Sequence, residues 1–133
     1  MLSLVGSYEL PPATIARGVA YKVALSGSHL ILAGGYSGMV VLDISDPGIP
    51  TLIGSYIDLL WSVEKVEVSG NYAYLVTNIS SEFYVIDISD LTMPVEVAEY
   101  EPIGSPSSLV AHGDRLYVSE DSYGLEILEL YRP

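Results

Sequence analysis

The chain has 133 residues and a formal net charge of −12, from 17 Asp and Glu against five Lys and Arg, yet half of it is hydrophobic. Such an acidic surface repels phosphate backbones and anionic lipid, so nucleic acid is excluded as a partner. No apolar run approaches the roughly eighteen residues of a membrane-spanning helix, and the absence of cysteine excludes disulfides and thiolate zinc.

The apolar residues come in short runs cut by Gly, Pro, Asp and Ser, the punctuation of strands and turns. Leu2 to Tyr8 reads as a strand without a neighbouring hairpin partner, and Pro11-Pro12 exclude helix in the connection that follows. Strands are predicted at 19–25, 29–33, 39–44 and 51–56, then at 63–68, 72–77, 83–88 and 95–100. A last set follows at 109–111, 115–119 and 125–130.

These strands repeat. Val23–Tyr56 and Val66–Tyr100 are two copies of one unit, and Leu109–Pro133 is a third that stops early. Val23, Val66 and Leu109 are spaced by 43 residues twice over, a period of four-stranded propeller blades. The tail missing from the third copy stands at the other end of the chain: Leu4-Val5-Gly6-Ser7-Tyr8 matches Leu52-Ile53-Gly54-Ser55-Tyr56. The chain is therefore read as one repeat domain over 1–133. Its copies lie at about 18–56, 62–100 and 107–133, and strand 2–8 completes the last blade.

Several strands, such as LILA, MVVLDI and FYVIDI, are apolar on both faces, so each sheet is covered on both sides. Short connections make each sheet an antiparallel meander. The expectation is an all-β fold of three four-stranded antiparallel blades. Three wedges do not close a ring, since propellers have about four to eight blades. Two chains making a six-bladed propeller by homodimerisation, the N-terminal strand of each completing the last blade of the other, would leave no open edge. A monomeric β-prism, a carbohydrate-binding architecture with three four-stranded sheets, is the alternative.

The motifs Val41-Leu42-Asp43-Ile44-Ser45-Asp46-Pro47 and Val85-Ile86-Asp87-Ile88-Ser89-Asp90 resemble the LVIVD repeat family. In the third copy, Ile127-Leu128-Glu129-Leu130-Tyr131-Arg132 lacks the Ser-Asp. The resemblance implies a propeller-like architecture, a surface or interaction role and a cell-surface or extracellular setting, with no catalytic motif to carry over. Met1-Leu2-Ser3 opens directly into repeat sequence, so the sequence itself offers no export signal.

Chemistry is sparse. Asp43, Asp46, Asp87 and Asp90 are too few and too closely spaced for a calcium loop and read as Asx turns. Gly34–Gly38 has strands on both sides rather than a helix and is a hairpin loop, not a phosphate cradle. His29 and His112 stand in different copies, beside turns. No cofactor and no metal is expected. Asn78-Ile79-Ser80 is a glycosylation sequon, meaningful on an exported protein.

In a meander, alternate connections emerge at opposite ends. The loops between copies therefore share one end with 34–38, 78–82 and 120–124, and this end holds Arg17, Tyr36, Trp61 and Tyr123. Loops on a rigid scaffold are where binding residues concentrate, and aromatic and Arg side chains anchor interfaces. Trp61 also suits packing between blades. Tyr21, Lys22 and Lys65 fall on innermost strands, near the axis of a ring. The leading expectation is a non-enzymatic binding or scaffold module whose loop end meets a protein or glycan. The alternative is a hydrolase or lyase at the channel.

Overall fold

The computed structural model describes residues 1–10, 18–57, 61–77 and 82–130. Three antiparallel sheets follow one another along the chain. The first contains β1 (Lys22–Ser26), β2 (His29–Ala33), β3 (Met39–Asp43) and β4 (Thr51–Tyr56), in that spatial order. The second repeats it with β5 (Val63–Ser69), β6 (Tyr72–Thr77), β7 (Phe83–Asp87) and β8 (Val95–Tyr100). The third contains β9 (Pro106–His112), β10 (Arg115–Glu120) and β11 (Gly124–Glu129), with a short 3₁₀ turn at Asp121–Tyr123 before β11.

The two complete sheets agree in detail. Strand three pairs with strand four as Met39↔Tyr56 to Val41↔Gly54, then shifts at a bulge to Leu42↔Leu52. In the second sheet the run is Phe83↔Tyr100 to Val85↔Ala98, then Ile86↔Glu96. The turns before the fourth strands are built by aspartates. Asp43 Oδ1 accepts from the Ser45 N–H at 2.8 Å, and Asp87 Oδ1 accepts from the Ser89 N–H at 2.8 Å. Asp46 Oδ1 and Asp90 Oδ1 accept from the Gly48 and Thr92 N–H groups, each at 3.0 Å. These are the Asx turns that Asp favours, because its short side chain bonds its own backbone two residues on.

Alternation along the strands explains why both faces are apolar. Ile31, Met39 and Val41 point toward the second sheet and meet Leu75, Tyr84 and Ile86 in one buried cluster. Tyr74, Val76, Phe83 and Val85 point the other way and meet Leu109, Leu116 and Val118 of the third sheet. Each aliphatic side chain buried this way stabilises by roughly 1.5–3 kcal/mol. The remaining face of the first sheet, Leu32, Val40 and Leu42, is covered by Tyr8 and Leu10 of the N-terminal segment.

Within one chain that segment stays unpaired. Residues 2–8 lie on the first sheet but form no strand, and the third sheet has three strands. The described residues hold eleven strands rather than twelve. The physical reason is position. The segment lies beside the first sheet, and the edge of β11 lies at the far end of the stack, beyond the second sheet. A strand with no edge to pair with does not form a ladder.

The seat of the segment is nonetheless specific. Any side chain at Gly6 would collide with the Pro47 carbonyl, and any side chain at Gly54 with the Leu91 carbonyl. Gly6 thus rests on the β3–β4 turn of the first sheet as Gly54 of β4 rests on the β7–β8 turn of the second.

Candidate functional site

The meander brings three groups of residues to one end of the sheets. The first is the hairpin loop Gly34–Gly38. Gly35 exchanges two backbone hydrogen bonds of 2.9 Å with Val63, which ties the first sheet to the start of the second. The φ of Gly35 is +63°, a conformation that favours glycine. A Cβ there would also lie 3.3 Å from the Tyr21 ring. Tyr36 belongs to this loop and is half-buried.

The second group is centred on Trp61. Its ring stacks on Tyr84 with centroids 4.2 Å apart, and it packs against the cluster shared by the first two sheets. Tyr84 donates from its hydroxyl to Glu82 Oε2 at 2.9 Å, and burial together with that carboxylate raises its pKa well above the usual phenol range. Trp61 therefore lies at the loop end but spends its ring on the seam between sheets.

The third group was not anticipated. Glu120 ends β10 with 1% of its surface exposed, and its Oε1 accepts the Gly104 N–H at 2.7 Å. Its carboxyl neighbours that of Glu126, on β11. Glu126 accepts in addition from the Ile103 N–H at 2.9 Å and from the Tyr100 hydroxyl at 2.6 Å. Burial raises the pKa of Glu120, whereas the neighbouring Glu120 carboxyl and the hydrogen bonds from Ile103 and Tyr100 lower that of Glu126. Among the described residues, Glu120 Oε2 is buried without a hydrogen-bond partner. The pair fixes the connection 101–105 onto the third sheet. Tyr123 stands above it at 68% exposure, on a turn where Asp121 adopts φ +26°, unusual for a residue with a side chain.

The signal for this pair was in the repeat itself. Glu126 occupies the position of Val40 and Tyr84, and Glu120 that of Gly34 and Thr77. A carboxylate at a position that is buried in both other copies marks a polar interaction.

The remaining expected residues are spread out. Lys22 and Lys65 lie on β1 and β5, the innermost strands of a propeller reading. Lys22 faces Glu67 across the two sheets at 3.8 Å, a partly exposed pair of small energetic weight. Tyr21 is exposed beside Gly35. Arg17 and the sequon Asn78–Ser80 lie outside the described residues. Among the described residues, no three His, Asp or Glu are placed to hold a metal ion, and no helix is long and apolar enough to cross a membrane.

The repeat arithmetic has a counterpart among known families. The sequence model of the LVIVD repeat matches residues 17–58 and 62–101, more than half of the chain. The chain belongs to the LVIVD repeat family. The two matched LVIVD repeats are the two complete four-stranded sheets, while the third sheet lies beyond them, where the Ser-Asp turn is lost. No curated protein matches the sequence. Among solved structures, this LVIVD repeat chain is similar to the β-propeller domain of Cps50 (Swd1) from Myceliophteria thermophila, with TM-score 0.70 and 18% identity. The match covers 88% of this chain and 42% of that one. The likeness shows the fold: three sheets stacked as the blades of a β-propeller. It also shows that the chain spans less than half of that structure.

Proposed function

We propose that this LVIVD repeat chain is a non-enzymatic binding and scaffold module. Two copies complete a six-bladed ring, and the loop end of that ring docks on a protein with a basic surface. The observation that carries the docking is Tyr123, an exposed aromatic held on a constrained turn above a buried carboxylate pair. An exposed aromatic ring on a structured turn is a typical interface anchor, and the acidic composition favours a basic partner. Acid–base chemistry has less behind it. The opposed pKa shifts of Glu120 and Glu126 have the pattern of an acid–base pair, but Glu120 is sealed beneath the 101–105 connection.

The test is a photo-crosslinking residue, p-benzoylphenylalanine, placed at Tyr123 in producing cells. A matched control places it at Ile49, exposed in a turn at the opposite end. Discrete protein adducts at position 123 that are absent at position 49 support the reading. Identical adduct patterns at both positions overturn it. A glycan array probed with the same protein gives the other outcome: selective glycan binding lost in Tyr123→Ala would replace the protein partner with a carbohydrate.

A further inference from the structure

We propose that Leu2–Tyr8 of one copy is the fourth strand of the third sheet of a second copy, joined antiparallel to the free edge of β11. This deepens the ring reading above, on which it rests, by naming the junction and its register.

The argument starts from two incomplete parts. Among the described residues the third sheet ends at β11, whose outer edge pairs with no strand. Open strand edges are templates for pairing with another chain. Leu2–Tyr8 is the converse, a fourth-strand sequence without a sheet, with Leu2 at 99% and Leu4 at 87% exposure. The segment already occupies the seat of a fourth strand. Gly6 meets the Pro47 carbonyl as Gly54 meets that of Leu91, and Tyr8 covers the first sheet. It is therefore placed as the outermost strand of a blade on the far side of the first sheet, which none of the described strands supplies.

The two ends of the stack suit each other. Val110 pairs with Tyr117 and Tyr117 with Ile127, so Val110, Leu125 and Ile127 share the outer face of the third sheet. All three are exposed, with Leu125 at 61% and Ile127 at 58%. Their counterparts in the first sheet, Met39 and Val41, are fully buried against the next blade. At the other end, Val23 and Leu25 stand exposed on the outer face of the first sheet, beside the seated N-terminal segment. An apolar groove of about 270 Å³ also opens by Ala98, Leu128 and Leu130, beside the last residues of β11. A fourth strand arriving there brings Leu2 to Leu130.

Register follows from the complete sheets. Leu125–Glu129 takes the positions of Met39–Asp43, and Leu4–Tyr8 those of Leu52–Tyr56. Transferring the shared pairing, with its bulge, sets Tyr8 against Leu125, Ser7 against Glu126 and Gly6 against Ile127. Beyond the bulge, Leu4 faces Leu128 and Ser3 faces Glu129. Three blades meeting three others by the same end-to-end contact close with two-fold symmetry at a blade count within the propeller range.

The chain has no cysteine, so introduced pairs read the register without interference. Directly paired strand residues lie about 4.5–5.5 Å apart, within disulfide reach. Ser3→Cys with Glu129→Cys places two exposed positions in register, while Ser3→Cys with Leu125→Cys places them apart. Mass in solution is measured beside them. The expected result is a species of twice 14.3 kDa that oxidises to a covalent dimer for the first pair and not the second. A dimer by mass that fails to crosslink in register overturns the strand exchange while leaving the two-copy ring standing. A monomer by mass overturns both. An open series of multimers overturns ring closure.

Discussion

Glu120 buries its carboxyl beside that of Glu126, with Oε1 held by the Gly104 N–H at 2.7 Å and Oε2 without a hydrogen-bond partner among the described residues. Two carboxylates so close do not both ionise at low energetic cost, and their pKa values move apart. Glu120, raised above 4.5, contributes stability that is complete at low pH and is lost as pH rises through its folded value. Glu126, lowered below 4.5, contributes stability that is lost as pH falls through its own. Glu120→Gln keeps an acceptor for the Gly104 N–H and removes the titrating proton. The expected outcome is a higher Tm at neutral pH and no decline as pH rises from about 4.5 toward 7, measured by thermal unfolding. Glu120→Leu has the opposite effect. It leaves the Gly104 N–H unsatisfied at a cost of about 1–3 kcal/mol.

Gly54 and Gly6 test whether the seat on the turn carbonyl is structural in the same way at both ends. Gly54→Ala forces a methyl into the Leu91 carbonyl, backbone against backbone, and is expected to destabilise by about 1–3 kcal/mol. Gly6→Ala meets the Pro47 carbonyl, but its segment pairs with no strand among the described residues and lifts away at smaller cost. The signature is a small change in chemical stability with increased dye binding, as Val40 and Leu42 lose the cover of Tyr8. Gly104→Ala is milder than Gly54→Ala, because the obstructing atoms belong to the rotatable Tyr123 side chain.

Much of this fold was legible because the repeat is written twice in full. The 43-residue period, the Asp-led turns and the two apolar faces each derive from residues that recur at fixed offsets, such as Asp43 and Asp87 or Val41 and Val85. The fate of Leu2–Tyr8 was not legible in the same way. Its sequence states a fourth strand, but pairing depends on an edge that the same chain holds beyond the second sheet. The loop end was legible as topology and not as chemistry. Trp61 and Tyr123 are both aromatic loop residues, yet one stacks on Tyr84 and the other faces outward, a difference set by three-dimensional neighbours. The Glu120–Glu126 pair was missed because Glu126 looks like an ordinary polar position on a strand. Its meaning emerges only against Val40 and Tyr84.

The Asx turns predict an acid-sensitive limb. Asp43, Asp87 and Asp90 are held below the usual 3.8 by hydrogen bonds from Ser45, Ser89 and Thr92. Groups lowered in the folded state contribute stability that is present above 3.8 and lost as pH falls through the folded value. Asp87→Ala is expected to lower Tm at pH 7 and to flatten its fall below about pH 4. Asp87→Asn, which keeps an acceptor for the Ser89 N–H, is expected to recover most of the Tm without restoring the acid limb. Thermal unfolding of the pair across that range checks it.

Trp61 is the sole tryptophan, and its position gives a reporter for the seam between the first two sheets. Stacked on Tyr84 and half-buried, it is expected to emit at shorter wavelength than free indole and to shift red on unfolding. Trp61→Ala removes a stacked pair worth about 0.5–1.5 kcal/mol beyond the area buried, and Trp61→Phe restores much of it. If the ring serves the seam, the Ala variant loses stability while adducts at position 123 persist at the wild-type level under conditions where the variant is folded. Were Trp61→Ala to abolish those adducts with Tm unchanged, the ring would belong to the docking surface rather than to the seam.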